Sequence, residues 1–306
     1  METVIITGGT GMIGAVLAPL LLSKGFRVVI LTRKAKSSST DNLIYSEWDP
    51  SAQEMDKEII GMADHIIHLA GANVGEKRWT AKRKKQIVDS RVKGGETIVK
   101  SLTAHPNKVK TVIGASGIGW YGADNKKATR GFIETDPHAS DFLGETCAQW
   151  EESMKGVAAL GKRLVTLRTG VVLSNEGGAF REFVKPMKAG VATILGSGLQ
   201  KISWIHIDDI CRVYLHAIEN KNMNGVYNAA APEVVTNKTL VLKAAKRRRR
   251  PFIPVHVPGF VLKIYLGEMS VEVLKSATVD DSRLRSSGFH FLFPTLDAAL
   301  GELLGK

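Results

Sequence analysis

Cysteine is scarce in this chain of 306 residues, with Cys147 and Cys211 the only two. They form no CxxC pair and no disulfide framework, which suits a reducing compartment and makes each a small buried hydrophobe. Long apolar runs are also missing; none approaches the ~20 residues of a membrane-spanning helix. The opening METVIITGG has neither the basic start nor the small-residue cleavage site of a secretion signal. A cytoplasmic protein with no membrane partner is the expectation. Zinc-type spacings do not occur, and His65 and His68, three apart in an apolar stretch, point to opposite faces of a strand and cannot share a metal. Acidic residues are outnumbered by 42 Lys and Arg to 30 Asp and Glu, a net charge of +12. That excess fits nucleic acid, a membrane surface or an anionic small molecule, and charge alone does not choose among them.

Two runs concentrate the charge, EKRWTAKRKK at 76–85 and KRRRR at 246–250. The second reads as a solvated helix end, where cations suit the dipole and Pro251 stops the helix. The first interleaves a single aromatic, Trp79, which is thin provision for base stacking, so a nucleic-acid partner is not expected. Hydrophobic residues at 44% and charged residues at 24% are ordinary for a globular protein.

Apolar β-branched runs alternate with amphipathic stretches of helical length: ETVIIT, GMIGAVLAPLLLSKG, FRVVILT, ADHIIHLAG, VKTVIGASG and RLVTLRTGVVLS. Strands alternating with helices predict an α/β protein of Rossmann type, a doubly wound parallel sheet covered on both faces. From about residue 178 the pattern loosens, with prolines at 186, 232, 251, 254, 258 and 294. The expectation is a dinucleotide domain over 1–175, rejoined by segments around 200–230. A smaller mixed α/β C-terminal lobe takes 176–200 and 231–306.

ETVIIT runs into GGTGMIG, where Gly8, Gly11 and Gly14 stand at GxxGxxG spacing between strand and helix. Gly8 permits the tight turn, Gly11 lets the backbone approach a pyrophosphate, and Gly14 lets the helix pack closely. The backbone of Thr10, Gly11, Met12, Ile13 and Gly14 then faces the anion at the helix N-terminus. FRVVILT ends in Thr32, Arg33 and Lys34, where an NAD site usually places an acid for the adenosine ribose. A cation there grips a 2′-phosphate through charge-assisted hydrogen bonds, so the expected cofactor is NADP(H).

TGGTGMIG, HLAGANV at 68–74, SGIGWYG at 116–122, LRTGVVLS at 167–174 and WIHIDDI at 204–210 together resemble an extended short-chain dehydrogenase/reductase over nearly the whole chain. GEKRW, the SRV of VDSRVKGGE, DFLGETCAQWE and FIPVHVPGFVLKIYLGEMS are similar to an atypical subgroup labelled nucleoside-diphosphate-sugar epimerase-like, with a small C-terminal domain of unassigned role. The resemblance implies that Leu69, Ala70, Gly71 and Asn73 lie against the adenosine and ribose of the cofactor. It places Arg91 and Arg168 where they contact phosphate or ribose. The alternatives are an ion pair of Arg91 with Asp89 or Glu96, and a water-facing strand end for Arg168. It also implies a homodimer through helices flanking the sheet.

In ordinary members a tyrosine with a lysine four residues later moves the proton. None of the five tyrosines here has that lysine, and the matching helix carries Phe142 and Thr146. Bringing a free tyrosine from pKa ≈ 10 to neutral pH takes ~4 kcal/mol, which a neighbouring lysine normally supplies. Tyr121 and Ser116 are the remaining catalytic candidates, Ser116 lying one residue from the serine position of relatives. His206 and Asp208 read as structural, with Asp209 as the N-cap of the next helix. Two functions stay open: an NADP-dependent epimerase-like oxidoreductase of unknown substrate, or a non-catalytic NADP(H)-binding sensor or structural protein.

Overall fold

The computed structural model describes residues 1–33, 40–125 and 130–305. Its centre is a seven-stranded sheet built from β1 (Thr3–Thr7), β2 (Arg27–Thr32), β3 (Leu43–Glu47), β4 (His65–His68), β5 (Thr111–Gly117), β6 (Arg163–Thr169) and the later strand Gly225–Ala229. The spatial order starts from Gly225–Ala229 and continues β6, β5, β4, β1, β2, β3, with every pair parallel. The predicted Rossmann-type sheet is therefore the observed one.

Side chains alternate between two apolar layers, as period-2 geometry requires. Val4, Ile6, Val28, Ile30, Ile67 and Ile113 join one core cluster with α1 (Met12–Ser23) and the helix Ile207–Glu219. Ile5, Val29, Leu31, Ile66 and Val112 join the opposite cluster with α2 (Lys57–Met62) and α3 (Ala81–Ala104). Chain order reverses between β1 and β4, which opens a crevice at their C-terminal ends.

Two glycines inside α3 explain how closely it approaches. A Cβ on Gly94 would stand 2.6 Å from the His68 ring, and one on Gly95 would stand 2.1 Å from Ser153 Oγ in α4 (Phe142–Ser153). The helix gives up ~1 kcal/mol of propensity at each and gains contact with β4 and α4.

A second apolar core joins Phe180, Ala192, Ile194 and Trp204 to Leu240, Val241, Leu296 and Leu300. It is framed by short two-stranded pairings, Val171–Leu173 with Trp204–His206 and Val191–Leu195 with Ile253–Val257. The helix Asn237–Arg247 ends in the basic run as expected. The expected cap of Ile207–Glu219 is corrected: His206, not Asp209, receives the Asp208 N–H at 3.1 Å. Asp209 is fully buried within the first turn, where it accepts the N–H groups of Leu292 and Phe293 and pairs with Arg212. It thereby fastens the C-terminal segment to the core. No described helix is long and apolar enough to cross a membrane.

His68 is fully buried at the end of β4 and shares a 2.7 Å hydrogen bond with Thr7 Oγ1. Burial pushes its pKa down from 6.5 to about 4. A depressed histidine contributes stability above its unfolded pKa that is lost as pH falls through the folded one. Unfolding free energy should drop by about 3 kcal/mol between pH 6.5 and 4 on its account. Urea melts across that window should show a shallower decline in His68→Asn.

Candidate active site

The phosphate turn is a tight piece of backbone. Gly8 sits at φ +69°, and a Cβ there would lie 2.8 Å from Ala70 N. A Cβ on Gly14 would meet the Gly9 backbone at 2.4 Å, so the helix packs on its own preceding turn. A Cβ on Gly11 would meet only Gly8 O, at 3.2 Å. α2, α3 and α4 open on side-chain caps from Asp56, Thr80 and Asp141, whereas α1 opens on Gly11 with no side-chain cap and no acid in its first turn. Uncapped N–H groups at a helix start suit an anion. The residues here fit a dinucleotide pyrophosphate.

Leu69, Ala70 and Gly71 stand beside this turn. Leu69 N–H donates to Thr7 O and Ala70 N–H to Thr7 Oγ1, which binds the two strand ends together. Arg91 reaches the same loop, donating to Ala72 O and Ile87 O at 3.0 Å, with its guanidinium 4.9 Å from the Trp150 ring centre. Burial lowers its pKa to about 10. Asp89 pairs instead with Lys85, and Glu96 accepts from Gln53, so neither carboxylate engages Arg91. Asn73 is exposed and its side chain accepts the Gly75 N–H. Half-buried Thr32 and exposed Arg33 close β2, the next strand. Met12 and Ile13 lie partly buried in the first turn of α1. Lys34 lies outside the described residues.

Tyr121, Ser116 and Arg168 come together in one buried network. Arg168 is only 2% exposed and makes a bidentate pair with Glu151 of α4, at 2.8 and 2.9 Å. Its Nη1 donates to Tyr121 Oη at 2.9 Å and to Glu134 O, and the guanidinium lies 3.5 Å from the Trp120 ring centre. Ser116 donates to Glu151 Oε1, and Tyr121 donates to Asn228 Oδ1. Asn228 in turn donates to Phe132 O and Asp280 O.

This changes the standing of each candidate. Arg168 is not water-facing; Glu151, Tyr121 and Glu134 O engage its donors, and it braces the layer beneath the strand ends. Tyr121 has the neighbouring cation that activation requires, yet burial outweighs it and pushes the pKa up to about 12. Ser116 is 5% exposed with its hydroxyl committed. Sequence reading missed Glu151 and Asn228. The available signal was a carboxylate four residues after Cys147, on the apolar stripe of α4.

Above this layer, Phe142 opens α4. Trp79 meets its ring edge-on at 4.8 Å between centres, and Lys84 Nζ stands 5.0 Å from the ring centre while pairing with Glu268. Trp79 Nε1 donates to Val74 O, which holds this aromatic in the loop. Thr146 hydrogen-bonds back to Phe142 O. Lys275, from the C-terminal segment, pairs with Glu272 at 2.8 Å and with Asp141 at 3.2 Å. Burial raises the Glu272 pKa against the opposing pull of Lys275.

Residues 4–230 match the model of the NAD dependent epimerase/dehydratase family. The chain belongs to that family. Residues 257–303 match a further model, a domain of unknown function. An epimerase family protein of Staphylococcus saprophyticus is 35% identical over 304 residues, covering 99% of this chain and all of that one. The epimerase family protein YfhF of Bacillus subtilis is 34% identical, over 97% of this chain and 96% of its own. Among solved structures, the human epimerase family protein SDR39U1 with NADPH superposes with TM-score 0.86 at 28% identity, over 99% of both chains. The family's NAD(P)-binding fold is thus shared over residues 4–230, and the superposition on the human protein covers 99% of the chain.

Removing the Tyr121 hydroxyl strands Asn228 and an Arg168 donor, so Tyr121→Phe should cost ~1–3 kcal/mol. Glu151→Gln leaves a buried guanidinium short of its counter-charge and should cost ~3–5 kcal/mol in urea melts. A raised tyrosine pKa contributes stability below its unfolded value of 10 that is lost as pH rises toward 12. Tyr121→Phe should therefore also flatten the alkaline decline.

Proposed function

We propose that the protein is an NADP(H)-binding, epimerase-like oxidoreductase that works without a tyrosine–lysine pair. The observation that carries the cofactor choice is Arg33, exposed at the end of β2 with Thr32 in place of an acid. A guanidinium there recognises the 2′-phosphate that separates NADP(H) from NAD(H). The NADPH in the SDR39U1 structure supports the same reading. Gly8, the Thr10–Gly14 backbone and the Leu69–Gly71 loop hold the pyrophosphate and adenosine half. Arg91 buttresses that loop from behind.

A bound nicotinamide supplies hydride transfer. Phe142 and Trp79 offer an apolar wall at that pole. Lys84, Glu268, Lys275 and Glu272 carry the ionisable protons around it, and the oxidoreductase reading gives proton transfer to them. Outer faces of α3 and α4, which pack on each other, provide the homodimer surface in this proposal.

A second reading, a non-catalytic NADP(H) sensor, is favoured by one observation: Tyr121, Ser116 and Arg168 are all consumed in a buried network. Turnover separates the two. NADPH oxidation against a panel of carbonyl compounds and nucleotide sugars should be saturable and fall at least about tenfold in Lys84→Met. Tight NADPH binding with no turnover on the panel would favour the sensor.

Arg33→Ala should weaken NADPH binding by about 10- to 100-fold while leaving NADH binding unchanged, as two charge-assisted hydrogen bonds are lost. Equal affinity of the unmodified protein for both cofactors would overturn the NADP(H) assignment.

A further inference from the structure

The net charge is concentrated in one part of the chain. Residues 234–267 contain no Asp or Glu and eight Lys or Arg, so this window supplies +8 of the net +12. Its Lys246, Arg247, Arg249 and Arg250 are exposed at the end of the helix Asn237–Arg247 and in the turn that follows. Neither the phosphate turn nor the buried network uses them.

Immediately after this basic turn the chain exposes apolar side chains of a kind usually buried. Ile253 is 70% exposed, Phe260 66%, Ile264 71% and Tyr265 77%. At 100° per residue, Phe260, Ile264, Val261 and Tyr265 span one continuous arc of the helix Gly259–Leu266. Leu262 is buried on the opposite side and anchors the helix to the lobe, while exposed Lys263 borders the apolar arc. An aliphatic and aromatic arc bordered by Lys263, with a basic turn at the other end of the exposed strand Ile253–Val257, is the pattern of a segment lying along a membrane interface.

We propose that the segment 246–265 is a docking surface for the face of an anionic phospholipid bilayer. Cations of the 246–250 turn meet the headgroups, and Phe260, Ile264 and Tyr265 enter the boundary with the acyl chains. This departs from the expectation of no membrane partner, which rested on the lack of a spanning run. A bilayer-bound helix needs only one apolar face.

Charge and edge chemistry decide against other occupants. An isologous contact with a second copy would set this basic margin against itself. Strand addition is opposed by Pro254, which supplies no N–H from the exposed strand Ile253–Val257. For RNA, Phe260 and Tyr265 offer two stacking faces, but the exposed aliphatic Ile253, Val261 and Ile264 beside them gain nothing from bases and gain most from acyl chains.

Flotation of the full chain with vesicles of phosphatidylcholine, with and without about 30% phosphatidylglycerol, tests the proposal. Binding to the anionic vesicles should exceed binding to neutral ones by at least about tenfold and weaken with added salt. Lys246→Glu with Arg250→Glu, and separately Phe260→Ser with Ile264→Ser, should each reduce it about tenfold with circular dichroism unchanged, since all four side chains are exposed. Equal binding to both vesicle types, no binding, or full binding by the serine variant would overturn the proposal. So would a dimer in light scattering that the serine variant disperses, which would assign the face to a second copy. RNA binding abolished by the glutamate variant, without vesicle binding, would overturn it in favour of a nucleic acid.

Discussion

A guanidinium cut off from water must be neutralised inside the protein, and the way Arg168 meets that demand organises the wall of the site. Glu151 supplies the counter-charge from α4, Tyr121 and Glu134 O take further donors, and Trp120 stacks on the plane. Those partners arrive from α4, the turn after β5 and the loop before α4, while Asn228 brings in the edge strand and, through Asp280 O, the C-terminal segment. Buried pairs of this sort contribute little net stability against an apolar alternative but penalise every arrangement that leaves one partner alone. The network thus specifies the geometry of the strand ends more than it strengthens the fold.

The same constraint accounts for what the site does with its reactive residues. A tyrosine beside an arginine is the arrangement that normally lowers a phenol's pKa, yet here desolvation exceeds the attraction. The layer above, around Phe142, holds Lys84 and Lys275, both tied to carboxylates of the C-terminal segment. That segment is joined to the family domain by ion pairs to Lys84 of α3 and to Asp141 at the start of α4.

Much of the fold was legible from residues alone because its signals are local. Apolar alternation fixes which side of the sheet each side chain joins, and the glycine turn between ETVIIT and α1 marks the crevice. The position of Arg33 just past the end of β2 was legible for the same reason, since it depends only on where the apolar run stops. The network that joins Tyr121, Ser116 and Arg168 was not legible because its partners lie as far as 107 positions apart, and no periodicity reports such contacts. His206 and Asp209 exchanged roles because two capping side chains stood three residues apart. Only the buried pull of Leu292 and Phe293 on Asp209 separates them.

That carboxylate has a consequence for how the chain is made. The cluster that covers one face of the sheet includes Leu284 and Phe289, and Asp209 waits for the N–H groups of residues 292 and 293. During synthesis the nucleotide-binding half therefore emerges with an apolar groove and a buried-to-be anion that nothing yet covers. The sheet face and the Asp209 site are not closed until residues 284–293 have been made. Residues 284–293 thus complete the core of the nucleotide-binding half, so folding of that half is coupled to theirs.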